Sequence, residues 1–267
     1  MNTSLRLLYP SDCFQPKRPD EVYAEEHDAA IAAGIAVSLF SYEDFQAGEL
    51  KFRTKPLAGE SVIYRGWMLS ETDYRRLNDA IEALGANMLT CPESYIVCHH
   101  LPRWLPLLSE FTAETRIFSE HDDIAGALLA DGWEECFLKD YVKSLATDGG
   151  SVVRDLSQIP TVIDKMKKYR GQIEGGIWAR RLESYDTASE KRYFVYLGVL
   201  FGDGVEVPEL VRIAAERIKS PFFTVDTAMR SDGVLRIIEL GDGQVSDRKH
   251  WSSEDFIRIL SGPVNHS

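Results

Sequence analysis

FFTVDTAMRSDGVLRIIELGDG, residues 222–243, reads as two strands flanking a Ser-Asp-Gly turn, a β-hairpin pattern. With Asp232 and Gly233 as the central turn residues, Ser231 faces Val234. Stepping outward from there sets Asp226 opposite Glu239 on one face. Like charges directly opposite one another are destabilising, so the pair needs an explanation. In one reading both acids point into solvent, where their repulsion is screened. The flanking residues favour another. Phe222, Phe223, Val225, Leu235, Ile237 and Ile238 make both strands apolar, as in a sheet covered on both faces. A buried pair of like charges requires a cation between its members. Magnesium binds through one or two carboxylates together with substrate phosphates, and Asp242 just beyond the strand is a third oxygen donor within reach in sequence.

Upstream, FLKDYVKS (137–144) places Lys139, Tyr141 and Lys143 on one face of a strand, alternate residues lying roughly 7 Å apart. Such lysines either blunt a solvated sheet edge or gather an anion. The loop ATDGGSVV (146–153) follows directly. Gly149 and Gly150 allow backbone N–H groups close approach to a phosphate, and Ser151 adds a hydroxyl; a plain hairpin turn is the alternative. Neither a Walker P-loop nor a dinucleotide-binding glycine pattern is present.

Around these segments the first hundred residues alternate strand-like and helix-like stretches, an α/β layer. The clearest helix is SETDYRRLNDAIEALG (70–85). Ser70 caps it, Tyr74, Leu77, Ile81 and Leu84 form its apolar stripe, and Gly85 stops it. A helix over Tyr95 to Leu108, interrupted by Pro102 and Pro106, closes this part. The middle of the chain reads as a compact α+β unit: strand, loop, strand, the helix IPTVIDKMKKYRGQ and the strand GGIWARRLESY. The last third adds KRYFVYLGVLFGDG, the helix VPELVRIAAERIKS and the acidic hairpin.

The 267 residues carry 42 acids and 30 bases, a formal net charge of -12, which disfavours nucleic acid and anionic membranes as partners. No apolar run approaches the ~20 residues of a membrane span, and the amino terminus lacks signal-peptide features, so a cytoplasmic location is expected. The 4 cysteines are scattered without metal-site spacing and are expected as buried or semi-buried thiols. Arg65 in YRGWML could bind a substrate carboxylate, or could be a surface arginine beside a buried structural Trp67. The adjacent His99 and His100 receive no role.

The order of these elements, from about Phe137 to Asp247, resembles the ATP-grasp superfamily. The second lysine and the arginine of the strand IWARR make it most similar to the clade named for one arginine and two lysines. The resemblance implies two α+β subdomains clasping ATP, residues 111–180 with the glycine loop and 181–267 with the metal site, preceded by an α/β domain, residues 1–110. It implies that Lys139, Lys143, Gly149, Gly150, Ser151, Arg180, Leu182 and Glu183 bind the nucleotide. Lys139, Lys143 and Arg192, the last in a strand similar to the family's Glu-x-Arg strand, would neutralise the transferring phosphoryl group. Asp226 and Glu239 fall at the family's magnesium positions. Where the family has Glu-x-Asn, this chain reads Glu239-Leu240-Gly241, with Asp242 as the substitute donor.

The implied activity is an ATP- and magnesium-dependent ligase that joins a carboxylate to an amine through an acylphosphate, acting on an amino acid, peptide or protein. A phosphotransferase and a nucleotide-binding regulatory module are the alternatives. The partners expected are ATP and a small-molecule or peptide acceptor, with a homodimer left open.

Overall fold

Strands β1 (Leu5–Pro10), β2 (Ala36–Phe40), β3 (Ser61–Tyr64) and β4 (Asn87–Met88) form a parallel sheet in the order β2-β1-β3-β4. Their near-continuous apolar runs suit a sheet covered on both faces. Leu7 and Tyr9 pack on one face with α1 (Ala24–Ala32), while Leu8 packs on the other with α2 (Tyr42–Gln46) and α3 (Glu71–Glu82). The α3 signals operate as the sequence indicates: Ser70 accepts the Asp73 N–H, and Tyr74, Leu77 and Ile81 are buried. Gly85 takes a φ of +79° that favours glycine. The computed structural model describes residues 4–141, 152–170, 173 and 175–261.

The expected helix over 95–108 is two helices, α4 (Pro92–His99) and α5 (Leu101–Leu108), separated by the extended residue His100. Pro102 then stands in the first turn of the new helix, where its missing N–H costs nothing.

A second sheet, entirely antiparallel, contains β5 (Thr115–Phe118), β6 (Cys136–Asp140), β7 (Val152–Val153) and β8 (Ile177–Arg180) in the order β5-β8-β6-β7. Helices α6 (Ile124–Ala130) and α7 (Ile159–Arg170) cover one face through Ile124, Leu128, Ile159 and Val162. Strand β5 and helix α6 come from a stretch that shows no clear period in sequence.

The third sheet, also antiparallel, contains β9 (Tyr185–Tyr196), β10 (Val199–Phe201), β11 (Phe222–Arg230) and β12 (Leu235–Asp242) in the order β10-β9-β11-β12. Val195, Phe223, Val225 and Leu240 pack on one face against α4, α5 and α8 (Glu209–Arg217). Phe194, Tyr196 and Phe222 pack on the other against α9 (Ser253–Leu260) and the first sheet. Both cores therefore join residues far apart in the chain. Helix α9 returns to lie beside α1.

The hairpin of β11 and β12 sets Asp226 opposite Glu239, but by a different route from the two-residue turn read from sequence. The turn holds three residues, Ser231 to Gly233: the Arg230 N–H donates to Val234 O, and Gly233 has a φ of +85°. That is the bulged three-residue hairpin loop. A β-bulge at Ile238, between the pairs Asp226↔Glu239 and Thr227↔Ile237, then restores the register that the longer turn displaced.

Of the thiols, Cys98 and Cys136 are buried, but Cys13 and Cys91 are exposed, against the expectation of burial, and all are free. No helix among the described residues is long and apolar enough to cross a membrane.

Candidate active site

Between the second and third sheets lies a cleft of about 580 Å³. Strand β6 alternates between Cys136 and Leu138 in the core and Phe137, Lys139 and Tyr141 in the cleft wall. This is the period-two face read from sequence. The strand lies between β8, which runs along Lys139, and β7, which pairs with Cys136 and Phe137. Register across β6 and β8 pairs Lys139 with Trp178 and Phe137 with Arg180. The Lys139 ammonium lies 6.0 Å, and the Arg180 guanidinium 4.9 Å, from the Trp178 ring centroid.

Arg180 donates to the Ile238 carbonyl at 2.8 Å and to Thr115 Oγ1 at 3.2 Å, tying β12 to the second sheet. Its Nη2 is buried with no hydrogen-bond partner among the described residues. Burial pulls its pKa down to about 10, with Tyr185, Glu239 and Glu183 partly offsetting that pull. A buried cation with a spare donor in a cleft wall suits an anion. Glu239 faces this pair of cations, its Oε1 3.9 Å from Lys139 Nζ.

Leu182 and Glu183 line the same cleft, in the segment linking β8 to β9. Glu183 accepts from Tyr185 Oη at 2.6 Å and Arg230 Nη1 at 2.6 Å, and pairs with Arg236 at 3.2 Å. Burial would raise its pKa; the tyrosine hydroxyl and the two guanidinium groups more than offset this and hold it low. Trp104 and His99, neither assigned from sequence, also line the cleft. The His99 ring stacks on Tyr95 with centroids 4.7 Å apart. Their packing depends on α4 and α5 docking on the third sheet, which no local motif encodes. Lys143, Gly149, Gly150 and Ser151, expected at the phosphates, lie outside the described residues.

One of the opposed acids of the hairpin, Asp226, has an arginine for its counter-charge, on the strand that flanks β11 on the side away from Glu239. Pairing of β11 with β9 sets Arg192 opposite Asp226. Arg192 Nε and Nη2 donate to the two Asp226 carboxylate oxygens at 2.7 and 2.6 Å, a bidentate pair with both side chains buried. Burial alone would lower the Arg192 pKa; Asp226 chiefly, with Asp247 and Glu239, raises it. Lys249 Nζ adds a longer contact to Asp226 at 3.6 Å and pairs closely with Glu190.

Two expectations are corrected. Asp242 does not join Asp226 and Glu239: strand alternation turns it to the other face of β12 from Glu239. There its Oδ1 accepts from Gln244 N and Nε2 at 3.0 and 3.1 Å. Arg65 does not lie at the surface beside a buried tryptophan, and its guanidinium is engaged by protein groups at the wall of a second cleft. Arg65 is buried and Trp67 is only partly so. Its guanidinium grips Glu26 at 2.7 and 2.8 Å and the carbonyls of Gly243, Gln244 and Ser246. These bonds fasten the segment after the hairpin to the end of β3.

Among the described residues no group of three or more His, Cys, Asp or Glu side chains is placed to hold a metal ion. Magnesium does not need such a cage when phosphates supply the remaining oxygens. Glu239, partly exposed at the cleft, has the chemistry for that smaller requirement, while Asp226 opposite it has both carboxylate oxygens held by Arg192. Gly241, in the place of the family's asparagine, offers only backbone, and its carbonyl accepts from Thr224 Oγ1 at 3.3 Å.

The fold is that of known ATP-grasp proteins. It is similar to a RimK domain ATP-grasp protein from Sphaerobacter thermophilus DSM 20745, with a TM-score of 0.61 and 16% identity over 97% of this chain and 99% of that one. It is similar to the D-alanine-D-alanine ligase from Coxiella burnetii, with a TM-score of 0.60 and 12% identity over 92% and 87% of the two chains. It is also similar to the ATP-grasp ligase PsnB complexed with minimal precursor, Mg and ADP, with a TM-score of 0.59 and 13% identity over 98% of each chain. A search of curated proteins finds no match. The sequence itself matches an ATP-grasp domain family over residues 17–260, nearly its whole length, and on that match the chain belongs to family 3 of the ATP-grasp clade named for one arginine and two lysines.

Proposed function

We propose that this chain is an ATP-dependent ligase that joins a carboxylate to an amine through an acylphosphate. The observation that carries the reading is the convergence of Lys139, Arg180 and Glu239 in one cleft: two cations, one with a spare buried donor, facing a carboxylate. Aromatic walls from Phe137, Trp104 and Trp178 suit a nucleobase, and Lys139 with Arg180 suits its phosphates. Lys143 and the Gly149-Gly150-Ser151 loop would complete the phosphate site. The backbone of Leu182 and the Glu183 carboxylate would hold the nucleoside.

Glu239, with Asp226 beside it, would hold magnesium. The ion would supply charge neutralisation at the phosphate oxygens. In the proposed reaction a carboxylate oxygen attacks the γ-phosphorus, and the bond from that phosphorus to the β,γ-bridging oxygen breaks, releasing ADP. The amine then attacks the acyl carbon; the carbon–oxygen bond breaks, phosphate leaves, and the amine proton passes to solvent. Lys139 and Arg192 act by position and charge. No side-chain nucleophile is needed.

Incubation with ATP, magnesium and a metabolite extract, followed by mass spectrometry, tests the reading. ADP and phosphate formed only when an amine is present support ligation. A stable phosphorylated product points to phosphotransfer. Tight ATP binding without turnover across an acceptor panel points to a regulatory module.

A further inference from the structure

Glu239 also lines a second cleft, of about 640 Å³, on whose wall Arg192 lies. This cleft has two chemically distinct sides. One is apolar and aromatic, formed by Val22, Tyr23, Trp67 and Met68. The Trp67 indole is packed edge-on against Tyr23 and Tyr42, with centroid distances of 5.7 and 4.9 Å, which fixes its plane. The other side carries Arg248 and Lys249 together with two carboxylates that already have their own arginines, Glu26 held by Arg65 and Asp247 by Arg192. Neither carboxylate contact of Arg248 is shorter than 3.4 Å, unlike the 2.6 Å pair of Arg192 and Asp226.

Lys249 has a left-handed backbone, φ +48°. A non-glycine residue there is strained and persists only where its surroundings impose it. The result is an ammonium group on the wall of this cleft, paired with Glu190 on one side and 3.6 Å from Asp226 on the other.

We propose that this second cleft receives the carboxylate to be activated, and that Trp67 and Tyr23 select an acid bearing an aromatic or extended apolar side group. Arg248 and Lys249 hold its carboxylate toward Glu239. The inference rests on the ligase reading and names its acid substrate class.

The test is calorimetric titration of L-phenylalanine, L-alanine and L-glutamate into the full chain, with AMP-PNP and magnesium present. Phenylalanine is expected to bind about tenfold or more tightly than alanine, since burying an aromatic side chain contributes roughly 1.5–3 kcal/mol and 1.4 kcal/mol is tenfold. Trp67→Ala should remove most of that advantage while AMP-PNP binding stays within about twofold, since Trp67 lies outside the first cleft. Lys249→Met should weaken all acids that bind, and Lys249→Arg should restore them. Equal affinity for phenylalanine and alanine in the unaltered chain, no binding of any of the three acids, or an unchanged preference in Trp67→Ala would overturn the proposal. Phenylalanine binding without any AMP-PNP binding would instead overturn the ligase reading and leave this site standing.

Discussion

Asp226 and Arg192 face each other on neighbouring strands and share a buried, bidentate pair at 2.6 and 2.7 Å. The arginine supplies positive charge to Asp226 from β9, while Glu239, across Asp226 on β12, has Lys139 at 3.9 Å. Asp226→Ala would leave a buried guanidinium without its main counter-charge. A loss of roughly 3–5 kcal/mol is expected, read by chemical denaturation. Asp226→Asn, which keeps one acceptor, should lose less, and an unaffected Asp226→Ala would refute the role.

Glu239 differs from Asp226 in being partly exposed, with its lysine contact at 3.9 Å. Glu239→Gln should therefore change stability by less than about 1 kcal/mol. ATP turnover, followed as ADP formation, should fall by a factor on the order of 10² or more if its carboxylate serves the phosphates.

Arg180 combines depressed basicity from burial with an unsatisfied donor in the cleft. Lys139→Ala and Arg180→Ala should each weaken ATP binding, on the order of ten- to a hundredfold, the equivalent of one charged hydrogen bond. Equilibrium titration with AMP-PNP measures this.

Arg65 holds Glu26 and three carbonyls in the core. Arg65→Ala is expected to cost roughly 3–5 kcal/mol and to lower the melting temperature with or without nucleotide. Arg65→Lys should restore little, because an ammonium cannot reproduce the planar fork. A stable Arg65→Ala protein with a selective defect in acid binding would return Arg65 to the substrate site.

Burial pushes the Asp242 carboxyl up from 3.8 to about 7, and Gln244 and Arg65 only partly oppose it. Between about pH 4 and pH 7 the unfolded chain has released this proton while the folded chain keeps it. Its contribution to stability is full below that window, falls as pH rises through it and levels off above. Asp242→Asn should flatten this part of the stability–pH curve, measured by denaturation at pH 5, 6, 7 and 8.

Local sequence carried much of this structure. The Ser70 cap and Gly85 stop bound α3, period two set Lys139 and Tyr141 on one face, and turn counting matched Asp226 with Glu239. That last result held because a longer turn and a bulge at Ile238 offset one another, each shifting register by one residue. These are interactions between residues near in the chain, where spacing determines which side chains share a face. Spacing along one strand does not determine which strand lies beside it. The pairing of β9 with β11 brought Arg192 to Asp226, the closure of β3 onto the segment after β12 buried Arg65, and strand alternation beyond the bulge turned Asp242 away. The second cleft arises in the same way, from Tyr23, Trp67 and Lys249, which the chain keeps far apart and only packed cores bring together.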